Sequence, residues 1–202
     1  MRFKGYKVGV VIFPGSNCDA ETIRLFKYLE MDVKKLWHKD PAPELDMYVL
    51  PGGFSYGDYM RAGALATYSP IMRDIKKYAE DGRKVLGICN GFQILCEAGI
   101  LPGTLTRNDS NKFYCGWMMF RNGNMDHYYL PLANKDGKYI SDREVNIAYK
   151  YAYMVDSSYV EIAGVYNDKG NVLGMMPHPE RAFEKHHSSD DGVKVIDNFV
   201  NL

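Results

Sequence analysis

Apolar positions recur along this chain with two different periods, and the change of period divides it. Lys7 to Phe13 (KVGVVIF) is a continuous run rich in β-branched residues, the pattern of a strand buried on both faces. Asp19 to Met31 then places Ile23, Phe26 and Leu29 at helical spacing. Further strands are expected at Asp32 to Trp37, Met47 to Leu50 and Lys84 to Ile88. Between the last two, Ile71 to Glu80 carries Ile71, Ile75, Tyr78 and Ala79 on one helical face and meets a stop signal at Gly82. Phe92 to Ala98 reads as another helix, closed by Gly99. Strands alternating with helices imply a mostly parallel sheet covered on both faces.

Beyond Pro102 the pattern changes to short strand-like pieces: Phe113 to Phe120, Tyr128 to Leu132, Val145 to Met154, Val160 to Tyr166 and Val172 to Met175. Asn167 to Asn171 reads as the turn of a hairpin joining the last two. Val193, Ile196, Phe199 and Val200 predict a closing helix. With no internal repeat, low-complexity tract or linker, residues 1–202 are expected to form one α/β domain. Its central sheet is mostly parallel and flanked by helices, with an antiparallel extension in the second half.

Charge removes several function classes. Lys plus Arg number 25 and Asp plus Glu number 25, so no net field favours nucleic acid or an anionic membrane. No apolar run approaches membrane-spanning length, and a cytoplasmic protein acting on small molecules and protein partners is expected. Cys18, Cys89, Cys96 and Cys115 contain no C-x-x-C pair, which argues against a zinc knuckle. His186 and His187 are adjacent, so in an extended segment they would face opposite ways; a solvated loop is the preferred reading and no metal site is expected.

One cysteine has a setting that packing does not require. Gly87-Ile88-Cys89-Asn90-Gly91 follows a buried strand and precedes a helix, the G-x-C-x-G arrangement of a nucleophile elbow. Small residues flank such a turn because it is tight, and the first helical amides favour the thiolate. Cys96 lacks this setting and reads as core; Cys18 and Cys115 stay open. Met175 to Arg181 (MMPHPER) supplies a base and a group to orient it. Two prolines imply an extended backbone that puts His178 and Glu180 on one face. Pro51-Gly52-Gly53-Phe54 follows another strand and is expected to reach the same sheet edge, where Gly53 or Phe54, together with Asn90, would present oxyanion-binding amides.

These elements, in this order, resemble the class I glutamine amidotransferases, whose domain is flavodoxin-like. The segments GSNCD (15–19), PGGFSYGDYMRAGA (51–64), VLGICNGFQIL (85–95) and GNVLGMMPHPER (170–181) are similar to the branch that serves purine biosynthesis. The resemblance implies that Cys89 attacks the carboxamide of glutamine, His178 moves the proton, Glu180 orients the histidine, and Gln93 helps bind glutamine. It implies no cofactor in this chain. The ammonia would pass to a large synthetase subunit that uses ATP and magnesium, with a small bridging subunit joining the two. The family's A-H-G-E-G element appears here as Ala133-Asn134-Lys135-Asp136-Gly137. A γ-glutamyl hydrolase or other thiol hydrolase on the same scaffold is the alternative reading.

Overall fold

The structure is a computed structural model that describes residues 3–152 and 162–202. Its first half alternates as the apolar pattern predicts. Strand β1 (Lys7–Ile12) leads into α1 (Asp19–Tyr28), then β2 (Asp32–Trp37), β3 (Met47–Leu50), α2 (Ile71–Glu80), β4 (Lys84–Ile88) and α3 (Asn90–Glu97). Helix α2 has the bounds expected from its stripe, and it buries Ile71, Met72, Ile75 and Ala79. It stops at Gly82, whose φ of +86° lets the amides of Gly82 and Arg83 reach back to the carbonyls of Ala79 and Tyr78.

The second half contributes β5 (Thr104–Thr106), β6 (Tyr114–Asn122), β7 (His127–Asn134), β8 (Lys138–Ile140), β9 (Asn146–Tyr151), β10 (Ile162–Tyr166), β11 (Val172–Met175) and α4 (Asp191–Val200). The ends expected at 153–154 and 160–161 lie outside the described residues. The main sheet has nine strands in the order β2-β1-β3-β4-β11-β10-β9-β6-β7. The first five run parallel, and every later pairing is antiparallel. The expected hairpin forms between β10 and β11, closed by Gly170 at φ +75° and by Asn167, whose side chain accepts from the Val172 amide at 3.0 Å.

The sequence pattern did not reveal β5 and β8, which pair in a separate two-stranded sheet. At three residues each they are too short to display a period. They fix the segment that follows β7. Asn108, beside β5, is buried and donates to the carbonyls of Lys112 and Asn134, while its own oxygen accepts from the Gly137 amide.

Two properties of the sheet position the site. Because β1, β3, β4 and β11 are parallel, the loops leaving their carboxyl ends all open on one edge. The antiparallel extension then curls back over that edge: β7 is the last strand in the order, yet its Pro131 carbonyl accepts the His178 amide at 2.8 Å.

Candidate active site

Cys89 sits between β4 and α3 with φ +50° and ψ −103°, a backbone conformation that non-glycine residues rarely hold. The turn is as tight as the flanking glycines suggested. A Cβ on Gly91 would lie 1.9 Å from the Leu50 carbonyl oxygen of β3, so no side chain fits there. Helix α3 starts two residues earlier than its apolar pattern indicated, immediately after Cys89. The Asn90 amide therefore lies in its first turn, where amides have no intrahelical partner.

His178 and Glu180 meet as expected, but by another backbone route. Pro179–Arg181 forms a 3-10 turn rather than an extended segment, and it brings Glu180 Oε1 to 2.6 Å from His178 Nδ1. The pair is shielded from water, with side chains 2% and 0% exposed. Burial opposes a charged ring, but the Glu180 carboxylate and the charge of Cys89 outweigh it and hold the His178 pKa well above its ordinary value. His178 Nε2 makes no hydrogen bond of ordinary length and faces the sulfurs of Cys89 and Cys18. The Cys89 thiol rests against the Ala133 carbonyl at 3.5 Å.

The glycine-rich loop after β3 reaches the same edge. Residues 14–18 hold it: Cys18 donates its amide to Gly52 at 3.2 Å, and Phe54 donates to Gly15 at 2.9 Å. The Phe54 amide is thus committed, which removes it as an oxyanion donor; its ring is 49% exposed at the cavity wall. The Gly53 amide has no partner among the described residues. Of the three residues expected, Gly53 and Asn90 are the two whose amides carry no such bond among the described residues. Gly52 borders His178 so closely that a Cβ there would lie 2.9 Å from its Cε1.

A cavity of about 260 Å³ opens over the thiol, lined among others by Cys18, Gly53, Asp58, Cys89, Gln93 and His178. Gln93 reaches it, with its amide already engaged: it accepts from Asn90 Nδ2 at 2.9 Å and donates to the Asp136 carbonyl at 2.7 Å. Ala133, Asn134, Lys135 and Asp136 form one wall. Asn134 is 3% exposed, and neither atom of its amide has a partner among the described residues.

Cys18 and Asp58 line the cavity without having gained a role from sequence reasoning. Cys18, left open, accepts from the Arg181 guanidinium at 3.1 Å and lies beside His178. Asp58 enters from the loop after β3. The signal available for Cys18 and Asp58 was their place in GSNCD and GGFSYGDY, segments that packing alone does not explain. Cys96 is core, as expected: burial pushes its thiol pKa up, and it contacts the Pro102 carbonyl.

Among the described residues, two groups of side chains bring metal-type donors within 4.8 Å of one another. One, Cys18-His178-Glu180, is the cluster just described. The other, Glu184-His186-His187, lies in the loop expected there rather than in an extended segment, so the two histidines are free to come together. They lie in a turn, with ring centroids 4.5 Å apart. His187 Nδ1 accepts from the amides of Phe183 and Glu184, which leaves its proton on Nε2 and withholds that lone pair from a cation.

Comparison with known proteins agrees with this fold. The model of the CobB/CobQ-like glutamine amidotransferase domain matches residues 5–137 and 137–193. The phosphoribosylformylglycinamidine synthase subunit PurQ of Methanopyrus kandleri is 42% identical over 219 residues, which cover 96% of this chain and 97% of that protein. Its counterpart from Pyrococcus horikoshii is 41% identical over 216 residues, again covering 96% and 97%. Among solved structures, a chain of the PurLQS structure from Thermotoga maritima superposes with a TM-score of 0.93 at 38% identity, covering 98% of each chain. A putative GMP synthase subunit from Thermoplasma acidophilum shares the fold, with a TM-score of 0.68 at 18% identity over 98% of this chain and 93% of that one. With its thiol elbow, buried histidine–glutamate pair and end-to-end similarity to these subunits, the chain belongs to the glutamine amidotransferase family, in the branch of the phosphoribosylformylglycinamidine synthase PurQ subunits.

Proposed function

We infer that this chain is the glutaminase subunit of phosphoribosylformylglycinamidine synthase and that Cys89, His178 and Glu180 carry its chemistry. The observation that supports this most directly is the buried His178–Glu180 pair at 2.6 Å, with Nε2 of the histidine turned toward the elbow thiol. Glu180 holds the proton on Nδ1 and stabilises the imidazolium. Cys89 transfers its proton to Nε2 and attacks the carboxamide carbon of glutamine as a thiolate. The carbonyl oxygen takes up negative charge against the Gly53 and Asn90 amides. Nε2–H then protonates the departing nitrogen, ammonia leaves, and a γ-glutamyl thioester remains. Water, deprotonated by Nε2, attacks the thioester; glutamate is released and the thiol is restored.

The ammonia serves the ATP-dependent conversion of formylglycinamide ribonucleotide to the amidine in purine biosynthesis. That step belongs to a large synthetase subunit carrying ATP and magnesium, joined to this chain by a small bridging subunit. The PurQ relatives and the PurLQS structure support a multi-subunit assembly. The compartment is the cytoplasm, in keeping with four free cysteines and with no described helix long and apolar enough to cross a membrane. Reconstitution with the synthetase subunit tests the whole reading. Cys89→Ala should abolish amidine formation from glutamine and leave formation from added ammonium intact. Loss of both, or of neither, would refute the assigned role of Cys89.

A further inference from the structure

We propose that Asp58 receives the α-ammonium group of glutamine and so makes this site selective for a free amino acid over a simple amide. The proposal rests on the glutaminase reading above and deepens it, since that reading assigns no group to the amino end of the substrate.

Asp58 shares the cavity with Cys89 and Gln93. The chain adopts an unfavourable conformation to put it there. Tyr56, Gly57 and Asp58 have successive φ values of +54°, +68° and +54°, and two of the three are not glycine. The turn is anchored to the active-site framework on both sides. Tyr56 donates its amide to Pro14 at 2.7 Å, and Ser55 donates to the side chain of Asn90 at 3.0 Å. A purely structural aspartate in such a turn would bond its own neighbouring amides. Asp58 does not.

Its carboxylate instead receives one long contact, from Asn90 Nδ2 at 3.5 Å, and forms no ion pair among the described residues. The facing groups offer no compensation. Asn90 and Gln93 of α3 are neutral; Lys135 and Arg181 also line the cavity, but the charge that acts on Asp58 is Asp136, which has the same sign and is itself paired with Arg107 at 3.0 Å. Partial burial and the charge of Asp136 push the Asp58 pKa up to about 6, the condition of a carboxylate lacking a counter-ion.

Glutamine supplies that counter-ion. Its ammonium lies on the α-carbon, two methylenes from the carboxamide carbon that Cys89 attacks. Binding the zwitterion would neutralise Asp58 while the carboxamide is seated over the thiol. An amide lacking the ammonium would leave the carboxylate desolvated and unpaired, and this penalty is the source of selectivity. A glutamine residue within a peptide has no free α-ammonium and would be rejected on the same ground.

The test uses the complex reconstituted with the synthetase subunit, comparing glutamine with glutaramic acid, the same molecule without its α-amino group. Asp58→Asn should raise KM for glutamine about a hundredfold. It should lower KM for glutaramic acid, because the penalty of an unpaired carboxylate is gone, so that the preference for glutamine collapses. Asp58→Glu, which keeps the charge, should recover part of it. Equal losses on both substrates would mark a structural role and overturn the assignment, as would an unchanged preference. If Asp58→Asn fails to assemble, the wild-type complex provides the measurement. Its preference for glutamine should fall as pH is lowered through about 6, and a flat preference would sink the proposal. A wild-type complex that forms amidine from ammonium but not from glutamine would instead defeat the glutaminase reading itself.

Discussion

Replacing Glu180 with glutamine changes one oxygen for one nitrogen and tests the logic of the site. The side chain is fully buried and 2.6 Å from His178 Nδ1, so the substitution keeps volume and contact but removes a charge that water does not screen. Two effects follow. A glutamine amide can direct an N–H at Nδ1, which places the ring proton on Nε2 and leaves no lone pair for the Cys89 proton. The lost carboxylate also ceases to stabilise the imidazolium. Together these should lower glutamine-dependent kcat by about 10³–10⁴-fold, or about 4–5.5 kcal/mol of barrier. Stability should respond with a definite sign. Glu180 raises the pKa of folded His178, so its contribution is fully present below the unfolded value of about 6.5 and is lost as pH rises through the raised native value. In denaturant titrations the variant should therefore be less stable by about 3–5 kcal/mol near pH 6, with the gap closing toward alkaline pH. Glutamine-driven and ammonium-driven amidine formation, measured side by side in the complex, separates catalysis from assembly. If the variant kept more than a tenth of its glutamine-dependent kcat, Glu180 would not be orienting the base.

Other substitutions probe the frame around the site. Gly91→Ala forces a methyl to within 1.9 Å of the Leu50 carbonyl and should cost about 3 kcal/mol in denaturant titration. It should cost more in activity, because Leu50 leads into the Gly52-Gly53 loop. Asn134→Leu removes two buried polar atoms that lack partners and should raise the thermal midpoint of the chain, a gain of about 1–3 kcal/mol. A lowered midpoint would mean that the amide is satisfied in solution. Glu30, exposed after α1 with φ +61°, is a control distant in sequence from the chemistry. Glu30→Gly should stabilise by about 0.5–1 kcal/mol and leave glutamine kinetics unaltered.

How legible each feature was in the sequence depends on how local its cause is. Helix α2 and strands β3, β4 and β11 match their apolar patterns because burial in the sheet layers imposes those patterns directly, whereas β2, at the sheet edge, has the expected bounds with only Leu36 buried. The elbow was legible because its glycines answer to neighbours a few residues away. His178 and Glu180 were paired correctly from a mistaken backbone argument; the two prolines restrict φ but do not prevent the 3-10 turn that joins the pair. Phe54 was an equal candidate with Gly53 until its amide proved to bond Gly15, a residue in another loop. Asp58 and Cys18 depend entirely on such crossings. Their surroundings come from Asn90, Arg181 and His178, which the sheet brings together from distant parts of the chain.

The place of β11 in the sheet also bears on how the chain is made. It inserts between β4, which precedes the nucleophile, and β10, and it delivers the histidine and the glutamate. On a ribosome adding about 5–20 residues per second, Cys89 emerges several seconds before His178 exists. Until β11 docks, β4 has an open edge and the cysteine beside it is an ordinary thiol with no base. On the chemistry proposed above, a nascent or truncated chain has no glutaminase activity, and the thiol becomes reactive only as the sheet closes.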